Sequence, residues 1–410
     1  MKWEKVKLGE YADVLSGYAY KSSDFCGTGV PVIKITNVKP PIISLEEASC
    51  ISEEIANAKQ QYILEYNDVL VAMTGSHVNQ MNSVVGRVGR VKYKVKSVLN
   101  QRVGKIFVKD NSRLDLTFLY YYLGQEKIKF ELANVATGSA NQANISPNNI
   151  RALLIPCPPL EKQQRIASIL STYDDLIENN QKQIKILEEA AQRLYKEWFV
   201  NLRFPGHKDV EFVDGLPKGW EWKKLGEVCF VTDGTHDTPK VVERGIPLVT
   251  GKNIKEGFID FKETYFISKN EHEQIKKRSG LKTGDILFSN IGTLGSCCIV
   301  DYSKEFSVKN VIILKIDNVV DTVWLYYWLI SDVTKRAIEL QASGSSQKFV
   351  SLNFMRDFQI LVPEVEIIKK FADVVLPIVN MKNNLNKSNL YLSEQRDSLL
   401  PKLMSGEVEV

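Results

Sequence analysis

Apolar residues recur along this chain with two different periods. Through residues 159–199, "PLEKQQRIASILSTYDDLIENNQKQIKILEEAAQRLYKEWF", they return every three or four positions, as Ile166, Leu170, Tyr173, Ile177, Ile184, Leu187, Ala191, Leu194 and Trp198, with Asn180 the one polar member of the series. The stretch has no Gly, and its only Pro is its first residue. A 4-3-4-3 spacing kept over this length predicts a coiled-coil helix of about 60 Å. The flanks read differently. "GVPVIKITNV", "NDVLVAMTG" and "GKIFVK" before it, and "GIPLVTGKNI", "GDILFSNIG" and "VIILKID" after it, are short β-type runs bounded by turn residues. Each set is followed by a helical pattern, "LTFLYYYLGQEKIKFELAN" and "VWLYYWLISDVTKRAIELQ". The aromatic residues of these helices suit a core better than a stacking platform.

These flanks are copies of one another. "KLGE" occurs at Lys7 and Lys224, "NDVLVAMTG" matches "GDILFSNIG" at an offset of 217, and "PVIKITNVK" matches "PLVTGKNIK" at 216. "FLYYYL" matches "WLYYWL", and "TGSANQ" matches "SGSSQK", both at 206. Five matches in one order, with loop-sized drift, mark a tandem duplication. The duplication supplies the long helix with a partner. Its repeat, residues 364–404, carries the seam Phe371, Val375, Ile378, Lys382, Leu385, Asn389, Leu392, Arg396, Leu399 and Leu403, apolar at seven of ten positions. Antiparallel packing of the two helices is expected. Asn180 on the seam either fixes register or sits near a solvated edge, and Pro377 predicts a kink or a late helix start.

Composition narrows the class. The chain has 410 residues, 44% hydrophobic and 25% charged, with a net charge of +4. That length fits two to three domains. No apolar run approaches the ~20 residues of a membrane span, and the N-terminal "MKWEKVKLGE" lacks a signal-peptide core. Cys26, Cys50, Cys157, Cys229, Cys297 and Cys298 form no C-x-x-C pair and have no His at zinc spacing. A reduced, cytoplasmic protein without a metal is expected. Charge is uneven along the chain. Val69 to Lys109 contains no Asp or Glu but eight bases: Arg87, Arg90, Lys92, Lys94, Lys96, Arg102, Lys105 and Lys109. Such a window is either a phosphate-facing surface or a solvated basic face.

Polar, Gly-containing turns recur at matching places in both halves: "TGSHVNQMN" with "SNIGTLGS", and "TGSANQANIS" with "SGSSQKFVS". Gly permits close backbone approach, and Asn, Gln, Ser and Lys can bond base edges or phosphates. His77 and His236, in such turns, read as contact or surface residues rather than catalysts.

Together these features resemble the DNA specificity subunit of type I restriction–modification systems. The marks are "PPLEKQQRIASIL…LIENNQKQIKILEEAAQRLYKEWF", "KLGE" opening each half, "TGSANQANIS" and "SGSSQKFVS" before each helix, and the closing "LLPKLMSGEV". The resemblance implies an α+β chain of two target recognition domains, residues 1–158 and 219–362. They are separated by two long helices forming an antiparallel coiled coil, 159–200 and 363–404, with a linker at 201–218 and a tail at 405–410. It implies that each domain reads one part of a split double-stranded DNA target and that the helices set the gap. It also implies that two methyltransferase subunits and restriction/translocase subunits join the complex, in defence against foreign DNA. S-adenosylmethionine, ATP and Mg would belong to those partners, with no cofactor or metal in this chain. "VEIIKK" replaces "LEKQQR" on the second helix, a departure from the first. The expected DNA contacts are Lys34, Asn37, Ser76, His77, Asn79, Gln80, Arg87, Arg90, Lys92, Lys94, Ser139, Asn141 and Gln142 in the first half. In the second they are Thr250, Asn253, Asn290, Thr293, Ser345, Gln347 and Lys348.

Two rival classes fit less of the chain. A methyltransferase would need an acid or amide before paired prolines and an aromatic after them, which "KPPI" and "CPPL" lack. A nuclease centre could be assembled only from Asp214 and "EWK" at Glu221–Lys223, with no matching acid in the other half. A protein-only coiled-coil adaptor would explain the helices but not the repeated turns.

Overall fold

The computed structural model describes residues 3–75, 84–137, 143–262, 264–292, 294–301, 304–342 and 349–410. The chain forms two compact units: residues 1–177 with 390–410, and residues 178–389. Each therefore contains one globular half and pieces of both long helices.

In the first unit, Lys5–Lys7 pairs antiparallel with Leu154–Pro156. One sheet runs in the order Ala12–Ser16, Val103–Val108, Val69–Ala72, Val88–Arg90, Ile42–Ile43, Val38–Lys39. A second runs Phe25–Cys26, Cys50–Ile51, Val30–Ile33, Ser97–Leu99, Ile63–Leu64. Val69–Ala72 lies third of six and is wholly buried, which is why it reads as a continuous apolar run. The turn before it needs a left-handed residue, supplied by Asn67 at φ 70°.

The second unit repeats this order with four strands in each sheet. Glu221–Lys224 pairs with Gln359–Val362. One sheet runs Phe230–Asp233, Ile312–Lys315, Ile286–Phe288, Cys297–Ile299, and the other Val241–Val242, Tyr265–Ile267, Ile246–Val249, Ser307–Val308. Gly284 at φ 91° takes the place of Asn67. The next residue in each copy, Asp68 or Asp285, accepts from a turn N–H, at 2.8 and 2.9 Å, and pairs with a lysine, Lys105 or Lys315, at 2.7 Å.

The helical stretch after each sheet is two helices rather than one. Leu116–Leu123 ends at Gly124 before Glu126–Asn134, and Val319–Ile330 ends at Ser331 before Asp332–Gln341. Asp115 and Asn318 cap the first of each pair, and Ser331 caps the last. Their aromatic residues, Tyr120, Tyr121 and Tyr122 in one copy and Trp324, Tyr326 and Tyr327 in the other, belong to the cores.

The first long helix is Leu160–Tyr195, closed by a π-turn over Lys196–Val200, and the second is Val365–Ser405. The late start expected at Pro377 does not occur. Pro377 and Asp373, whose carbonyl loses its donor, are both exposed, so water can serve the freed oxygen. In the first unit Ile166 and Leu170 share the core with Leu399, Leu403 and Met404. In the second, Leu194 and Trp198 share it with Phe371, Val375 and Ile378. Tyr173, Ile177, Ile184, Leu187, Leu385 and Leu392 are half-buried, so no seam residue is exposed. Within the second unit, Asn180 meets Asn389 and Glu188 meets Lys382, while the rings of Tyr195 and Phe371 pack edge to face. Numbers rise on one helix as they fall on the other, so the helices run antiparallel. Among the described residues, no helix is long and apolar enough to cross a membrane.

Candidate nucleic-acid interface

The repeated polar turns are joined at their bases. In the first half Thr74 pairs with Asn144 and Gly75 with Ala143, antiparallel. The strands so joined lead directly into segments 76–83 and 138–142. In the second half Ile291 bridges Phe349, and Val350 N–H donates to the Asn290 carbonyl at 3.0 Å. The described residues on either side, some 60 apart in sequence, are thus joined at the same place in both copies. Ser76, His77, Asn79, Gln80, Ser139, Asn141, Gln142, Thr293, Ser345, Gln347 and Lys348 lie outside the described residues.

The described candidates divide. Asn290 Nδ2 donates to the Val350 carbonyl at 3.2 Å and thus helps close the second ladder. Asn37 is 2% exposed; its Oδ1 accepts from Lys34 N–H at 3.0 Å and its Nδ2 donates to the Ser44 and Glu46 carbonyls. Asn253, 3% exposed, does the same with Thr250 N–H and the Asp260 carbonyl, and the Thr250 hydroxyl also donates to it. Both asparagines are buried and hold turns, which corrects their assignment as DNA contacts. Thr250 is half-buried, and its hydroxyl oxygen can still accept. The Thr250–Asn253 turn nevertheless abuts the second ladder: a Cβ at Gly251 would meet the Ser289 hydroxyl at 2.6 Å and the Ile291 carbonyl at 3.1 Å. Lys34 Nζ donates to the Ser49 hydroxyl at 2.9 Å and lies 4.3 Å from the Phe25 ring centre.

The basic window is less free than its sequence suggests. Acids from outside it reach in: Glu53 pairs with Lys96 at 2.7 Å, Asp68 with Lys105 at 2.7 Å and Asp175 with Lys92 at 3.8 Å. Lys109 donates to the Gly9 carbonyl at 2.5 Å. Arg90 is buried, with its guanidinium 4.4 Å from the Tyr120 ring centre and 3.8 Å from Asp174. Arg90 is a structural cation, and its assignment to DNA is corrected. Lys94 and Arg102 are exposed, Arg87 is half-buried, and none has an ion-pair partner among the described residues.

Sequence reasoning missed the ion pairs between the helices and, though it named His236, the polar group around that residue. On the first helix Asp174 accepts from Arg396 at 2.5 Å and from the Tyr121 hydroxyl at 2.6 Å. Burial, and after it the Asp174 carboxylate, push the Tyr121 hydroxyl far above its ordinary range, so it remains a donor. Further along, Glu188 receives Lys382, whose ammonium is pulled down to about 8 by burial. The second group lies in the turn "GTHDTPK". His236 sits between Asp233, at 2.5 Å, and Asn310, at 3.0 Å; Arg278 reaches Asp233 at 3.3 Å, and Lys309 donates to the Thr238 hydroxyl at 2.9 Å. The only sequence signal was the local density of His, Asp and Thr beside Gly.

Each unit thus carries an α+β half on a pair of antiparallel helices, with a short ladder at the base of its polar segments. The family model described as the type I restriction modification DNA specificity domain matches residues 1–189 and 217–391, and the chain belongs to that family. It is thus the DNA-reading, non-catalytic subunit class of restriction–modification complexes, which act with methyltransferase and restriction subunits. The chain is similar to the MjaIX specificity subunit of Methanocaldococcus jannaschii, 25% identical over all of this chain and 94% of that one. It is also similar to the EcoBI specificity subunit of Escherichia coli, 22% identical over 99% and 86%. The crystal structure of the type I S subunit from M. genitalium shares the fold, with a TM-score of 0.58 at 19% identity over 98% and 96% of the two chains.

Proposed function

We propose that the chain reads a split double-stranded DNA sequence, one part with each half, and directs two methyltransferase subunits and the restriction/translocase subunits to it in the cytoplasm. Base choice resides in segments 76–83, 138–142 and 343–348 and at residue 293. Lys94, Arg87 and Arg102 supply phosphate contacts in the first half. S-adenosylmethionine, ATP and Mg are used by the partner subunits. The observation that carries this reading is the repeated ladder, Thr74–Gly75 with Asn144–Ala143 and Ile291 with Phe349, which stands at the same place in both halves.

The test is methylome sequencing of cells carrying the chain with its methyltransferase partner. Wild type should modify one two-part motif. Replacing residues 138–142 by a Gly/Ser segment of equal length should relax or abolish only one part. Methylation by the chain alone, or an unaltered motif after the replacement, would overturn the reading.

A further inference from the structure

We propose that Asp174–Arg396 and Glu188–Lys382, with Asn180–Asn389 between them, are positioning residues that hold the helix pair in a single register, and that this register fixes the gap between the two DNA half-sites. The inference rests on the split-target reading above. It goes beyond helix length as the source of the gap, because a heptad seam by itself does not select one register.

Apolar seam positions repeat every seven residues, so a slip of one heptad, about 10 Å along the axis, returns apolar residues to apolar partners. The polar positions do not repeat. Lys382, Asn389 and Arg396 are the three polar members of the second seam, and each faces a polar residue of the first helix: Glu188, Asn180 and Asp174 respectively. The first helix supplies both acids, the second both bases, and the neutral pair lies between. Moving the second helix one heptad one way sets Asp174 against Leu403 and Lys382 against Tyr195. Moving it the other way sets Glu188 against Val375 and Arg396 against Ala167. Every slip strands charge against apolar surface.

Burial makes these mismatches matter. The side chains of Lys382 and Glu188 are 7% and 15% exposed, and those of Arg396 and Asp174 are 16% and 12%. At such depth an unpaired charge cannot be hydrated without opening the seam. The Asn180 amide donates to Asn389 Oδ1 at 2.9 Å, the pairing that an Asn against Lys382 or Arg396 would not reproduce. The two charged pairs are also anchored to the globular halves. Asp174 is held by Tyr121, and Lys382 lies 5.9 Å from the Tyr326 ring centre. Register is thereby tied to the domains whose spacing it sets.

The experiment compares full-length chains in complex with their methyltransferase partner. Lys382→Glu should lower methylation of the wild-type motif at least 10-fold, and the exchange Glu188→Lys with Lys382→Glu should restore it to within about 3-fold with the same gap, because the pair is re-formed. A seam made apolar by Asn180→Leu, Glu188→Leu, Lys382→Met, Asn389→Leu and Arg396→Met, with Asp174 still held by Tyr121 and Arg90, should fold. It should also methylate a second set of sites with the same half-sites and a different gap. Spin labels at Ile186→Cys and Val365→Cys, in a chain whose accessible native thiols are replaced by Ser, report register without DNA. One distance is expected with the native seam and a second, shifted by about 10 Å, with the apolar one. A single unchanged distance and gap in the apolar-seam chain overturns the proposal. If the native complex modified no split motif, the functional reading would fail while the spin-label distances still decided the register.

Discussion

The two units are copies, yet they fasten a recognition domain to the helices by different physics. In the first, the junction is ionic and hydrogen-bonded: Arg90 lies over Tyr120, and Asp174 gathers Arg90, Arg396 and the Tyr121 hydroxyl. In the second it is aromatic. Phe371 packs against the rings of Tyr195, Trp198, Phe199 and Tyr327, and Phe199 continues through Trp220 to Phe204. The repeat mate of Tyr121 is Tyr327, whose hydroxyl is buried without a partner among the described residues. One topology thus accepts either solution. What duplication preserved is strand order and helix direction, while the chemistry of the contact drifted.

Breaking each junction at its centre should show the contrast most strongly. Phe371→Ala removes a fully buried ring and should destabilise the second unit by about 4 kcal/mol, read as an earlier unfolding transition with the first unit unmoved. Asp174→Ala leaves the buried Arg90 guanidinium without its carboxylate and Arg396 with Asp397 alone, and should cost the first unit about 3 kcal/mol. If Asp174→Ala unfolded the chain no sooner than wild type, the ionic junction would be an ornament of the surface.

A finer comparison uses the mated tyrosines. Tyr121→Phe deletes the donor to Asp174 and should lower stability by about 1.5 kcal/mol, since the bond is to a charged acceptor. Tyr327→Phe deletes a hydroxyl that has no partner and should be neutral or slightly stabilising. Equal losses in denaturant titrations would mean that the two junctions are alike after all. The smallest effect separates structural from DNA-facing cations. Lys94→Ala should weaken binding to all DNA sequences and flatten the salt dependence by about one unit. Arg90→Ala should lower stability and leave that slope unchanged.

Much of this was legible beforehand. The seam from Ile166 to Trp198 and its repeat from Phe371 to Leu403 were readable because helical side chains return to one face with a fixed local period. Strands such as Val69–Ala72 stood out as apolar runs, and the paired turns stood out because they occurred twice. The Asn37 and Asn253 amides were misread because a turn-holding Asn and a base-reading Asn have the same sequence signature. The breaks at Gly124 and Ser331 were passed over because the apolar pattern runs on through them.

By itself the sequence determined the duplication, which shows as repeated text, and the α+β class, the long helices and the places of the polar turns, which depend on neighbours within a few residues. Only tertiary structure decided which charges are spent. The window from Val69 to Lys109 is free of acid along the chain, but Glu53, Asp68, Asp174 and Asp175 come to it through space. Asp174 meets Arg396 across 222 residues, and Glu188 meets Lys382 across 194. Coulomb attraction falls off with distance in space, and no sequence period encodes that distance between residues brought together only when two helices pack side by side.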